Sequence, residues 1–402
     1  MALMPVAEAL RLVLTDAKPL PTEFVALDHV AGRVLAQDVS ALRTQPPTAV
    51  SAMDGYAVRA SDVAKAPAAL KVIGEVAAGH PFIGQVAAGQ AARIFTGGVM
   101  PKGSDTVVIQ ELTSREGDVV TIQKSTPKGR NVRGQGIDFA QGDVLLRKGQ
   151  RLSDRDVMLA AAMNHARLSV HRKPRVAVLG TGDELVPPGG SPKSDEIVYS
   201  NGFALASLAR TEGAEAHDLG IANDRVEDIT QAIKRAREWG ADILVTSGGA
   251  SVGEHDLVQR ALTAEGLNLS FWRVALRPGR PMMHGRLGAM QVLGVPGNPV
   301  SSYVCAFLFL VPLIRRLSGR IDVEPRPEQA RLGCDLPAND ERADYLRATL
   351  ALGPDGPVAT PLPAQDSSLM APLAKADCLV IRYPGAPAVP AGSDCIILKL
   401  GL

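Results

Sequence analysis

Aromatic side chains are scarce in this 402-residue chain, at 4% of the residues, so its cores must be filled by aliphatic packing. Net charge is nearly absent as well: 43 Lys and Arg stand against 42 Asp and Glu. That balance excludes the broad positive field that nucleic acid or an anionic membrane surface would select, and any anion site has to be local. Cysteine is sparse and scattered, at Cys305, Cys334, Cys378 and Cys395, with no C-x-x-C pair and no histidine at zinc-finger spacing. A disulfide framework or a structural zinc centre is therefore not expected. Long apolar runs are missing too. The most apolar stretch, Val300 to Ile314, contains Pro312 and falls short of the roughly 20 residues that a membrane helix needs. Met1 to Leu14 lacks a basic segment followed by a long apolar one, so a secretory signal is not expected there and the cytoplasm is the expected location.

What is present is the balance of a globular protein, 46% hydrophobic and 21% charged. The length predicts two to four domains of about 100 to 200 residues each. Val6, Leu10, Val13 and Leu14 recur at helical spacing before the Pro19 to Pro21 turn, giving an amphipathic helix that needs a partner surface. Between about Ala49 and Val144, short β-like runs (Lys71 to Ile73, Ala92 to Phe95, Thr106 to Gln110, Val119 to Ile122) are divided by glycine-rich turns. An alanine-rich helix over Asp154 to His165 precedes a boundary at Lys173-Pro174.

The next 150 or so residues change character. Arg175 to Gly180, Glu215 to Ile221, Asp242 to Thr246, Leu269 to Leu276 and Met290 to Val295 read as buried strands. Asn201 to Thr211, Val226 to Trp239, Asp256 to Ala264 and Val300 to Leu317 read as helices. Alternation of strand and helix predicts a doubly wound parallel sheet. Beyond the Glu324 to Pro327 breaker, Leu346 to Leu352, Leu379 to Tyr383 and Cys395 to Leu400 predict a small all-β tail.

Ligands of parallel α/β sheets bind outside the carboxyl ends of the strands. Four such ends carry informative loops: Gly180-Thr181-Gly182-Asp183-Glu184, the stretch from Ser247-Gly248-Gly249-Ala250-Ser251 to Glu254-His255-Asp256, Arg277-Pro278-Gly279-Arg280-Pro281, and Pro296-Gly297-Asn298-Pro299. The Ser247 loop offers backbone N–H donors and two hydroxyls for a phosphate, or is a set of tight turns. It matches neither a P-loop nor a dinucleotide fingerprint. Asp183, Glu184, Glu254 and Asp256 bring carboxylates to the same edge, where Mg²⁺ could be held. Asp256 is equally suited to cap the next helix. Arg273, Arg277 and Arg280 form a local cationic cluster whose guanidinium forks fit tetrahedral oxyanions. His29, His165, His171 and His217 show no partner pattern.

Taken in order, five motifs resemble one family. They are Ser-Ala-Met-Asp-Gly-Tyr-Ala-Val at 51 to 58, Thr-Gly-Gly-Val-Met-Pro at 96 to 101, Gly-Thr-Gly-Asp-Glu-Leu at 180 to 185, Ser-Gly-Gly-Ala-Ser-Val-Gly-Glu-His-Asp at 247 to 256, and Gly-Val-Pro-Gly-Asn-Pro-Val-Ser at 294 to 301. They look like the molybdopterin molybdenumtransferases (the MoeA and gephyrin E-domain family), and the likeness spans nearly the whole chain. It implies a multidomain fold: an elongated helical domain from 1–45 and 138–172, an inserted β-rich domain at 46–137, a molybdopterin-binding α/β domain at 173–323, and a small β-barrel-like domain at 324–402.

The resemblance further implies a homodimer whose site is shared between subunits. It implies adenylated molybdopterin and molybdate as substrates, AMP release and dependence on Mg²⁺. By similarity, Asp54, Thr96, Glu184, Asp224 and Asp256 are catalytic positions, with Glu184 and Asp256 at the metal. Substrate contacts are expected from Ser247, Gly248, Gly249, Ser251, Arg273, Arg277, Arg280, Pro296, Gly297, Asn298, Arg347 and Ser367. Arg273 and Arg277 stand where lysine is common, and Asp366 stands where glycine is usual, which makes Ser368 the alternative equivalent of Ser367. The adenylyltransferase that shares the α/β domain and the apo-molybdoenzymes are the protein partners implied. A molybdopterin adenylyltransferase and a non-catalytic scaffold are the rival readings.

Overall fold

The computed structural model describes residues 3–248 and 257–401. Gly249, Ser251, Glu254 and Asp256 lie outside the described residues. At the centre is a six-stranded sheet. Its elements are β1 (Arg175–Thr181), α1 (Asn201–Thr211), β2 (Glu215–Ala222), α2 (Val226–Glu238), β3 (Ile243–Ser247), α3 (Leu257–Ala264), β4 (Asn268–Trp272), β5 (Met283–Leu287), β6 (Met290–Val295) and the helical rod α4 (Pro299–Leu317). The spatial order is β2-β1-β3-β6-β5-β4. The first four strands are parallel, while β5 runs antiparallel to both its neighbours.

The sheet is thus mixed rather than wholly parallel. The hairpin of β5 and β6 turns at Gly288, whose φ of +64 suits a two-residue connection, and it lies within a stretch that alternation of strand and helix does not mark. Strand period decides which side chains go where. Val176, Val178, Ile243, Val245, Leu293 and Val295 face α1 and α4, whereas Ala177, Leu179, Leu244 and Val292 face α2 and α3. The α4 rod is long and apolar enough to cross a membrane, yet 83% of it is buried inside the protein, with a π-helical segment at Ala306–Leu310. Helix Val6–Thr15 finds its partner surface here, placing Ala9, Val13 and Leu14 in the same core as Leu313 and Ile314.

The predicted strand over Leu269 to Leu276 ends at Trp272, because Arg273 takes a left-handed φ of +78. Leu276–Arg277 then leaves the central sheet and pairs in parallel with Ala343–Asp344 of the tail. Strands Ala343–Gly353, Gly356–Pro361, Glu328–Leu332, Asp394–Lys399 and Cys378–Arg382 follow one another, and the last pairs back with the first. The tail is therefore a small closed barrel. It also contains a short helix, Met370–Lys375, that the all-β expectation lacked.

Between residues 46 and 137, a second six-stranded sheet is built from Gly55–Val58, Ala68–Val76, Gln90–Ile94, Thr106–Ile109, Thr113–Glu116 and Val119–Ile122. The segments around it are less helical than expected. Besides helix Asp154–Ala162, they are joined by the antiparallel pairs Thr22–Ala26 with Arg167–His171 and Val39–Ser40 with Val144–Leu146.

Candidate active site

A parallel sheet opens a crevice where the strand order reverses, between β1 and β3 here. A cleft of about 840 Å³ occupies that place, lined by Thr181, Gly182 and Glu184 after β1, Ser247 and Gly248 after β3, and Pro296, Gly297 and Asn298 after β6. Asp224 after β2 lines it as well, and Ser368 and Met370 of the tail close one side. All four loops singled out in the sequence reach it, the Arg277 loop through Pro281 alone. A smaller hollow of about 400 Å³ shares Ser200, Asn201, Pro299 and Met370 with this cleft and extends it between α1 and α4.

Close approach of backbone to backbone makes the glycines necessary. Gly248 has φ +98, and a Cβ there would sit 2.4 Å from the Thr181 carbonyl oxygen. Gly182, at φ +147, allows Glu184 to fold back so far that a Cβ would lie 2.4 Å from its carboxylate. Asn201, opening α1, donates through Nδ2 to Ser247 Oγ and to the Gly297 carbonyl, each at 2.8 Å. One side chain thereby ties the β3 loop to the β6 turn. In the sequence Asn201 marks only a helix start, and its position at the opening of the helix that follows the β1 loop is the signal of this role.

Tyr199 is a second residue the motifs did not reveal. Its ring fills the space over Gly180 and Gly202, and its hydroxyl donates to Asp218 Oδ1 at 3.0 Å. Burial, then the charge and hydrogen bonding of Asp218, push its phenol far above the ordinary range. The backbone around it holds the Glu184 loop, since the Ile197 amide donates to the Glu184 carbonyl at 2.7 Å.

Three carboxylates crowd this edge. The Asp224 amide donates to Asp183 Oδ1 at 2.9 Å. Partial burial first, then the charges of Asp183 and Glu184, raise the Asp224 pKa above the aspartate range. The carboxylate of Glu184 makes no hydrogen bond or ion pair among the described residues. No group of three or more His, Cys, Asp or Glu among the described residues is disposed to hold a metal ion.

The basic residues part company. Arg273 stacks over the Trp272 ring at 5.6 Å, held in its left-handed backbone. Arg280 is exposed and has no ion pair among the described residues. Arg277 is engaged elsewhere: its Nε donates to Asp344 Oδ1 at 2.5 Å, its Nη2 to Asp344 Oδ2 and to Asn339 Oδ1, and its Nη1 to Asp340 Oδ2 at 3.1 Å. None of the three lines the cleft.

The tail reaches the cleft through Gln365-Asp366-Ser367-Ser368. Asn298 Nδ2 donates to Ser367 Oγ at 2.9 Å, and the Val300 amide donates to the Ser367 carbonyl at 3.0 Å. Ser368 donates through Oγ to Asp366 Oδ1 at 2.6 Å and faces the cleft. Arg347 is 1% exposed and donates through Nη2 to the Asp366 carbonyl at 3.1 Å, while its Nε has no partner. Burial lowers its pKa.

Asp54 and Thr96 stand together, away from this cleft. Asp54 Oδ1 accepts from the Thr96 amide at 2.7 Å and from its hydroxyl at 2.8 Å. Those two bonds, then the charge of Arg93, hold the Asp54 carboxyl below the usual aspartate range.

Family comparisons cover the whole architecture. The MoeA N-terminal region (domain I and II) matches residues 4–164, the probable molybdopterin binding domain matches 177–316, and the MoeA C-terminal region (domain IV) matches 329–400. The molybdopterin molybdenumtransferase of Haemophilus influenzae is 33% identical over 382 residues, 94% of each chain. This chain belongs to the molybdopterin molybdenumtransferase family. The Nostoc sp. member is 36% identical over 94% of this chain and 89% of its own. A crystal structure of the molybdopterin biosynthesis MoeA protein from Pyrococcus horikoshii OT3 superposes with a TM-score of 0.84 at 28% identity, over 99% of this chain and all of that one. The molybdenum cofactor biosynthesis protein from Pyrococcus furiosus, at 19% identity and TM-score 0.61, shares the fold.

Proposed function

We propose that this enzyme of molybdenum cofactor biosynthesis inserts molybdenum from molybdate into adenylated molybdopterin and releases AMP. The observation that carries the reading is the uncommitted carboxylate of Glu184 in a cleft otherwise built from phosphate-sized turns. Backbone N–H groups around Ser247, Gly248 and the Pro296-Gly297-Asn298 turn would hold the phosphates, together with Gly249 and Ser251. Glu184 would orient a water against the adenylyl phosphorus and take its proton as the bond to the pterin phosphate breaks and AMP leaves.

Mg²⁺ fits the donor set. Glu184 offers free oxygens, and Asp183 and Asp224 stand beside it, so that the charges of Asp183 and Glu184, after burial, raise the Asp224 pKa and a dication would relieve that part of the shift. Glu184 and Asp256 would hold it. When bound, the ion supplies charge neutralisation at the pyrophosphate. Arg273 and Arg280 do not line the cleft itself but would meet molybdate at its margin, their charge and planar geometry suiting the oxyanion. Ser368 is favoured over Ser367 as the tail's contact to substrate, because Ser367 is bonded to Asn298. Asp54 and Thr96 do not line the cleft of their own chain, which supports a homodimer that brings the pair from a second copy. The product would pass to apo-molybdoenzymes in the cytoplasm.

Incubation with molybdopterin adenylate, Mg²⁺ and molybdate should yield AMP and metal-loaded cofactor together, and Glu184→Gln should yield neither. Adenylate formation from ATP would instead identify an adenylyltransferase, and absence of both activities would identify a scaffold.

A further inference from the structure

Arg277 has the charge of an oxyanion ligand but the surroundings of a clasp. Strand Leu276–Arg277 is covalently part of the segment that leaves β4, yet it lies in the barrel sheet beside Ala343–Asp344. The Ala343 amide donates to the Ala275 carbonyl at 2.9 Å. The guanidinium meets Asp344 with two donors, and Asp344 is 6% exposed. Its remaining donors reach Asp340 and Asn339. Asn339 is itself fixed, donating through Nδ2 to the carbonyls of Arg342, Arg382 and Tyr383. A paired fork of this kind is the strong, orientation-specific form of the arginine–carboxylate bond, and with Asp344 and Asp340 both in contact the cation has little reason to seek another anion.

The barrel touches the central domain through polar contacts at a second place, where Ser367 meets Asn298 and Val300. Ser368 and Met370, which close the cleft, follow directly. The barrel is thus held at one side by Arg277 and at the other by the turn that walls the cleft.

We infer that Arg277 is a positioning residue that clasps the C-terminal barrel to the central domain through Asp344, and so sets the wall of the cleft made by Ser368 and Met370, rather than a ligand of molybdate. The inference rests on the proposed assignment of the cleft as the adenylate site. Asp344 discriminates between the two roles. If Arg277 is a clasp, loss of either partner loosens the same wall. If Arg277 is an oxyanion ligand restrained by Asp344, removing the acid frees it for molybdate.

The test is steady-state turnover with molybdopterin adenylate and molybdate varied separately, beside hydrogen exchange of the full chain, for Arg277→Gln, Asp344→Asn, the double variant and Arg277→Lys. The expected result is a rise in the KM for the adenylate on the order of tenfold for each single variant, the effect of losing one charge-assisted bond. The double variant should be no worse than the singles, and the KM for molybdate should not move. Arg277→Lys, which keeps the charge and loses the fork, should fall between. Amide exchange across Leu276–Arg277 and the start of Ala343–Gly353 should quicken in both single variants. A tighter molybdate KM in Asp344→Asn with a weaker one in Arg277→Gln overturns the inference, as does unchanged exchange in both. Exchange is read without turnover, so it judges the clasp even if Glu184→Gln shows the cleft assignment to be wrong. Arg277→Lys covers the case in which Asp344→Asn fails to fold.

Discussion

Thr96 gives Asp54 both its amide and its hydroxyl, at 2.7 and 2.8 Å, joining two motifs that lie 42 residues apart. Arg93 braces the pair from behind: it donates to the Gly55 carbonyl at 3.1 Å and stacks over Phe95 at 4.7 Å. Each anchor neighbours one member of the pair. With its pKa lowered in the fold, Asp54 contributes stability that is present above the unfolded aspartate value and is lost as pH falls through the folded one. Thr96→Ala removes one of the two bonds and should raise the Asp54 pKa part of the way back. Carboxyl titration by NMR in wild type and variant checks the shift; an unmoved Asp54 would disprove the pairing.

Gly248 should not accept a side chain. Its φ of +98 and the 2.4 Å approach of a Cβ to the Thr181 carbonyl mean that Gly248→Ala strains the loop and displaces it from β1. A loss of more than about 1 kcal/mol is expected, since the backbone itself must move. Urea denaturation measures it, and a variant as stable as the parent would show that the loop can relax.

The two adjacent serines should separate by kind of defect. Ser367→Ala removes the bond from Asn298 and should cost stability of about 1 kcal/mol. Ser368→Ala should leave the unfolding midpoint in place and change the KM for the adenylate, because its hydroxyl faces the cleft and bonds only within its own turn. Kinetics and thermal melts on both variants decide this, and a reversed pattern would reassign the roles.

His284 supplies the pH dependence of the core. It lies buried beside Gln291, with Nε2 at 3.0 Å from Oε1 and Nδ1 without a partner. Burial lowers its pKa from the ordinary 6.5, so the neutral ring is the form the fold accepts. Stability is then complete above 6.5 and falls as pH drops from there toward the depressed folded value, where the unfolded chain takes a proton that the folded one refuses. His284→Gln should flatten that acid limb, as read by urea midpoints at pH 5 and pH 7.5.

Much of the central domain was legible because its signals are local. Val176 to Leu179 and Leu244 to Thr246 are aliphatic runs closed by glycine, and parallel strands put such closures on one edge without further information. The meeting of Glu184, Ser247 and Asn298 follows from that geometry. What the pattern did not contain was pairing across distance. Arg277 looks the same in sequence whether it faces an oxyanion or a carboxylate, and its partners stand 63 and 67 residues further on, in a segment without periodicity. Strand β5 escaped for a different reason, since Met283 to Leu287 is interrupted by His284, Gly285 and Arg286 and carries no apolar alternation. The bond of Asp54 to Thr96 depends on a sheet register that neither motif records.

The packing of Val6–Thr15 also constrains the order of events during synthesis. Ala9, Val13 and Leu14 are covered by residues of α4, and Met4 bridges in parallel to Val274. A ribosome delivers Val6–Thr15 long before either surface exists, so this amphipathic helix emerges with its apolar stripe bare while the domain it belongs to is still being translated. The inserted sheet of residues 55 to 122 draws its pairing entirely from within itself and is free to fold in the interval.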